Sequence, residues 1–138
     1  MPSAHIRSNL KVAAISGWVL CAAAMPADGN AAVSPDQFLI RTTGDLVELC
    51  RSNSADTYYT AAINCCHGFS VGVYSVLQEE NQASSRPTFC IPDPAPRRAD
   101  MIARFVQWTD ANPDQKQQAP ADGIAAFLTR QFPCGRGK

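Results

Sequence analysis

The chain predicts an all-α fold, a small four-helix bundle stapled by two disulfides. Three observations carry this reading. Apolar residues recur at steps of three and four in separate stretches, as in helices with one buried face. No run of alternating apolar and polar residues is long enough for a sheet. Four cysteines, Cys50, Cys66, Cys90 and Cys134, each stand beside a helical stretch, downstream of a segment built like an export signal.

That segment is Met1 to Ala31. Arg7 and Lys11 give it a basic start, with no acidic residue before Asp28. The apolar run Val12 to Ala24 is thirteen residues, short of the roughly 20 that a membrane span needs. Small residues follow, and Ala22-Ala23-Ala24 or Gly29-Asn30-Ala31 would suit a signal peptidase. A lipid anchor at Cys21 is disfavoured because Leu20 fills the place where a small residue is needed. A buried N-terminal helix is the plain alternative, and the charge layout argues against it. The expectation is a signal peptide over 1–31 and a single helical domain over 32–138. Removing 1–31 leaves 107 residues with ten basic and eleven acidic side chains. No strong field then remains to attract nucleic acid or a membrane surface.

Val33 to Arg41 is a short lead in which Asp36 can cap a turn, with Phe38 and Leu39 expected on the core. Thr42 or Thr43 opens the first helix, with Asp45 and Glu48 near its positive end. Leu46, Leu49 and Cys50 make its apolar face, and Arg51 to Ser54 stops it. Asp56 helps to start the longest helix, expected from about Ala55 to Glu80. Ala62, Cys66, Phe69, Val73, Val76 and Leu77 share one of its faces. Gly68 and Gly72 inside it each cost about 1 kcal/mol relative to alanine. Close approach of a neighbouring helix, packed beside Phe69, is the expected reason. A membrane dimerisation reading of the two glycines is weak, because Asn64, His67 and Glu79 interrupt the apolar stretch.

Asn81 to Ala95 reads as a loop rich in Ser and Pro. Asp93 is expected to cap a third helix with Pro94 and Pro96 in its first turn. Met101, Ile102, Phe105, Val106 and Trp108 form its buried stripe, and Asp110 to Pro113 ends it. Asp114 to Gln118 is a polar connector to the fourth helix, Pro120 to Gln131, with Ile124, Ala125, Phe127 and Leu128 inward. Arg136 and Lys138 belong to a soluble tail.

A core of this size is marginal, and cross-links help it. Four cysteines allow three pairings, and sequence does not choose among them. The expected pairs are Cys50 with Cys66 and Cys90 with Cys134. The first closes a loop of about fifteen residues, worth about 3 kcal/mol in the chain-entropy picture, and the second closes a longer one. Neighbours on a helix point about 100° apart, so Cys65 cannot share the partner of Cys66. It reads as an inert buried thiol rather than an intermolecular bridge.

No chemistry emerges from the remaining residues. Metal ligands on a helix sit three or four residues apart, so Cys65, Cys66 and His67 in a row make a poor site. The other histidine, His5, lies in the signal, and no base stands across the fold from a cysteine nucleophile. His67 is a polar helix-face residue near Asn64. Glu79 and Glu80 are solvated, and Arg97, Arg98 and Arg104 make a solvated face rather than a phosphate site. Tyr58, Tyr59 and Trp108 read as packing residues rather than binding anchors. The expectation is no catalytic residue, no cofactor and no metal.

Leu49-Cys50, Cys66-His67-Gly68-Phe69 followed by Gly72, Phe89-Cys90-Ile91-Pro92, Asn112-Pro113, Pro120-Ala121 and Phe132-Pro133-Cys134 occur in that order. Their order and spacing resemble the type VI secretion amidase-immunity (Tai/Rap) family, small exported helical proteins related in fold to the acid-stress chaperone HdeA. The resemblance covers Phe38 to Cys134. Phe69 stands where tyrosine is commoner, and Asn112 where histidine usually precedes the proline. The resemblance implies a non-catalytic periplasmic protein that inhibits a cell-wall amidase delivered by neighbouring cells, often as a homodimer, with a surface loop blocking the enzyme's cleft. Contacts are then expected from two polar loops, through Asn81 and Gln82 in one and Asp110, Asn112 and Asp114 in the other. An HdeA-like acid-stress chaperone is the alternative. It would need carboxylates that lose charge and loosen the fold as pH falls.

Overall fold

The computed structural model describes residues 32–135, and among them are four α-helices, two 3-10 helices and no strand. The expected export segment over 1–31, with His5 and Cys21, and the tail residues Arg136 and Lys138 lie outside the described residues. The order is a 3-10 helix, Pro35–Leu39, then α1, Thr43–Arg51, α2, Tyr59–Ala83, and α3, Arg98–Ala111. A second 3-10 helix, Pro113–Gln117, leads to α4, Pro120–Gln131. The all-α, disulfide-stapled class read from the sequence is the observed one.

The shortest α-helix is the hub. α1 packs against the other three α-helices and both 3-10 helices, and Leu46, Val47 and Leu49 on it are fully buried. Thr42 caps it reciprocally. Its hydroxyl accepts the Asp45 N–H at 3.1 Å, and the Asp45 carboxylate accepts the N–H groups of Thr42 and Arg41 at 2.9 and 3.0 Å. Thr43 is buried as well. Its N–H donates to Gln118 O at 2.8 Å, and its hydroxyl lies 3.1 Å from the carbonyls of Gln118 and Ala119. The connection into α4 is thereby tied to the start of α1.

The main core gathers Leu46, Val47, Phe89, Phe105, Ile124, Phe127, Leu128 and Phe132. Phe127 is its aromatic centre, with ring centroids of Phe105, Trp108 and Phe132 at 5.5, 5.8 and 6.3 Å. A smaller cluster of Val33, Leu49, Ala62 and Cys66 lies around the first disulfide. Both expected pairs form: Cys50–Cys66 with Cα atoms 5.1 Å apart and Cys90–Cys134 at 4.8 Å. Cys65 is unpaired and half-buried against the smaller cluster.

Several local expectations are corrected. α2 starts at Tyr59 rather than Ala55, because Asn53 and Asp56 hold tight turns. Asn53 Oδ1 accepts the Ala55 N–H at 2.9 Å, and Asp56 Oδ1 accepts the Tyr58 N–H at 2.8 Å. α2 also runs on to Ala83, so Asn81 and Gln82 belong to its last turn and not to a loop. α3 starts at Arg98, with Arg97 rather than Asp93 as its N-cap and with Pro94 and Pro96 before it. A residue before proline is disfavoured in the helical region, so Pro96 keeps Ala95 out of a helix. The stretch Asp114 to Gln118 is mostly a 3-10 helix rather than an irregular connector. Leu39, expected on the core, and Val76, placed there by periodicity, are 57% and 56% exposed. Tyr58 and Tyr59, read as packing residues, are exposed too.

The glycine expectation fails for a clear reason. α2 has 25 residues and α1 only 9, about 37 Å against 14 Å of helix, so much of α2 stands uncovered. Gly68 and Gly72 are exposed, and a Cβ on either would meet nothing within 4 Å. Their neighbour Phe69 does pack, against the main core. The glycine that permits a close approach is Gly123 of α4. A Cβ there would stand 2.6 Å from Thr43 Cγ2 and 3.0 Å from Thr43 Cβ.

Candidate functional site

The segment between α2 and α3 is an exposed stretch held by side-chain hydrogen bonds from α2. Ser84 to Thr88 are all exposed, while Phe89 just beyond is buried in the main core. Asn81 closes the segment from the last turn of α2. Its Nδ2 donates to Phe89 O at 2.8 Å, and its Oδ1 accepts the Thr88 N–H at 2.7 Å and lies 3.3 Å from the Thr88 hydroxyl. Cys90 continues the anchorage. Its N–H donates to Phe132 O at 2.7 Å, and its sulfur is bonded to Cys134. A polar loop tied at both ends has little conformational entropy left to lose on meeting a partner.

An open apolar groove of about 350 Å3 lies between α2 and α3, floored by α4. Val71, Tyr74, Met101, Phe105 and Phe127 line it, with Arg98 as the charged residue among its walls. Arg97, next to it, is engaged by Asp100 at 3.0 Å.

Asp110, Asn112 and Asp114 lie at the other end of α3. Asn81 and Gln82 sit in the last turn of α2 instead, and among the described residues no hydrogen bond or ion pair joins the two groups. Asp110 pairs with Arg51 at 2.6 Å and Lys116 at 3.1 Å, joining α1, α3 and the second 3-10 helix. Partial burial pushes its carboxyl up. The hydrogen bonds from Arg51 and Lys116, with the attraction of both charges, outweigh this and hold it below the usual carboxylate range. Asn112 caps α3, donating to Trp108 O at 2.7 Å. Three of the five sequence-predicted contact residues, Asn81, Asp110 and Asn112, thus have scaffold work, while Gln82 and Asp114 are exposed.

A further exposed strip lies along α2, where Gly68, Gly72, Ser75 and Val76 face outward, with Tyr59 at the start of the helix and Tyr58 just before it. Tyr58 meets Phe38 edge-on, with ring centroids 6.0 Å apart. Sequence reading missed this strip because apolar periodicity marks which residues could be buried, not which face finds a neighbour. Among the described residues, no group of three or more His, Cys, Asp and Glu side chains could hold a metal ion. No helix among them is long and apolar enough to cross a membrane.

A family profile described as Rap1a immunity proteins matches residues 42–134, from the cap of α1 to the last disulfide cysteine. No curated protein and no solved structure matches the chain.

Proposed function

The chain belongs to the Rap1a immunity protein family, and on that premise we propose that it is a non-catalytic periplasmic inhibitor of a peptidoglycan amidase delivered by type VI secretion. The single observation that carries this is the family match across all four α-helices. The geometry supports it. An inhibitor that plugs a cleft needs a protruding segment fixed before the encounter, and Ser84 to Thr88 is such a segment, held by Asn81 and the Cys90–Cys134 bridge. A signal peptide ending at Ala31 would deliver the chain to the compartment where cell-wall enzymes act and disulfides form. A homodimer belongs to the same reading, and the outward face of α2 around Gly68 and Gly72 is a surface free to form it.

The test is direct. Cells directing a type VI amidase to their periplasm should survive when this protein is co-produced, and the two should co-purify. A panel of such amidases that neither binds the protein nor is neutralised by it sinks the reading.

A further inference from the structure

A small pocket marks the start of the described chain. It holds about 100 Å3, and Ala32, Glu48, Arg51, Asn53 and Asp56 are among its lining residues. Arg51 is already committed through Nη2 to Asp110 at 2.6 Å, and Asp110 also holds Lys116 at 3.1 Å. The Arg51 Nε has no hydrogen-bond partner, and Glu48 Oε1 is 3.8 Å from it, beyond hydrogen-bond reach. The charged groups at this corner are Glu48 and Arg51 from α1, Asp56 from the turn before α2, Asp110 from α3 and Lys116 from the second 3-10 helix. Three negative charges against two positive ones leave one negative charge unmatched.

The chain enters beside that charge. Val33 is buried against Leu49, Ala62 and Cys66, and its N–H donates to Asp56 Oδ2 at 2.7 Å. Ala32, one peptide link earlier, forms part of the pocket wall. We propose that this corner is the binding site of the α-ammonium group of Ala32, created when the bond between Ala31 and Ala32 is cut. The proposal rests on the export reading above, in which Gly29-Asn30-Ala31 precede a signal-peptidase cut. In that hydrolysis the amide C–N bond breaks and the oxygen of water joins the Ala31 carbonyl carbon, leaving a carboxylate. Both protons of that water end on the Ala32 nitrogen, which becomes an ammonium.

The intact amide offers the corner no charge, whereas the ammonium matches its single excess negative charge. A metal ion is a poorer occupant, because a closed site needs more ligands than two carboxylates. Maturation therefore does more than release the chain. It adds an ion-pair network beside the Cys50–Cys66 staple, where Val33 and α1 meet α2.

The experiment uses the full-length chain produced in a host that exports it, with protein recovered from the periplasm. N-terminal sequencing should begin at Ala32. Acetylation of the α-amine near neutral pH should be roughly fivefold slower than in a Glu48→Gln variant, which leaves the Asp56 turns untouched. The acetylated protein should melt a few degrees lower than the free form, and this gap should close in Glu48→Gln. An N-terminus elsewhere in recovered periplasmic protein overturns the proposal while leaving export intact. So does an amine at Ala32 whose reactivity is the same in both proteins. Chain that stays uncut in the cytoplasm defeats both readings.

Discussion

At the scale of single residues, the contact between Thr43 and Gly123 decides how closely α4 can lie on α1. Gly123→Ala should destabilise the fold by about 1–3 kcal/mol through overpacking, measured by urea denaturation. Thr43→Ala in that background should recover part of the loss, because it removes the atoms that clash. Asn81 carries a second prediction. Asn81→Ala should cost about 1–2 kcal/mol and speed hydrogen exchange at the Thr88 amide, whereas Gln82→Ala should leave stability unchanged. A third concerns pH. The N–H groups of Val33 and then Tyr58 hold the Asp56 carboxyl below its ordinary value. A depressed carboxylate pKa contributes stability above the unfolded-state value, and that contribution is lost as pH falls through the folded one. Stability should therefore drop below about pH 4, and Asp56→Asn should flatten that drop in a pH series of melting curves. The long-range partners of Thr43 and Asp56 are not announced in sequence. Thr43 bonds a carbonyl 75 residues away and Val33 a carboxylate 23 residues away, and no local pattern encodes such partners.

Elements were far more legible. α4 spans the residues its apolar spacing predicts, and Thr42 caps α1 as its place before Asp45 suggests. Two misread boundaries, the starts of α2 and α3, fall where side chains or prolines compete with helix formation, at Asn53 and Asp56 and at Pro94 and Pro96. The bare face of α2 gives a prediction of opposite sign to most mutations. With open space above both positions, Gly68→Ala and Gly72→Ala should each stabilise the monomer by about 0.5–1 kcal/mol, read as a higher Tm. A variant that gains stability yet loses self-association would mark this face as the dimer surface. The staples can be separated in the same way. The pairs close loops with sequence separations of 16 and 44, worth about 3 and 4 kcal/mol. Replacing Cys90 and Cys134 by serine should also loosen Ser84 to Thr88, which replacing Cys50 and Cys66 should not.

At the scale of the whole molecule, the two sequence-predicted contact regions belong to different elements, the last turn of α2 and the end of α3 with the 3-10 helix after it. The loop held by Asn81 and a disulfide is the better prepared of the two. Arg86→Glu at its exposed tip should weaken effector binding by about tenfold or more, with the melting temperature unchanged, while Asp114→Asn should have little effect. Titration calorimetry against the cognate effector checks both. Protection of unfolded clients near pH 2 to 3, without any effector binding at neutral pH, would instead favour the chaperone alternative.

Sequence by itself determined the class of fold, the approximate helices and which cysteines stand near enough to a helix to be useful, because helical period and turn chemistry are properties of a short window. It also carried enough ordered landmarks to indicate the immunity family. The tertiary structure alone decided that Gly123 and not Gly68 or Gly72 is the close-packed glycine, that Tyr58 and Tyr59 face solvent, and that Asn81 and Asp110 brace the scaffold. Those outcomes depend on which face of one helix another helix covers. Coverage follows from helix lengths and chain closure across the whole domain, and no short stretch of residues contains it.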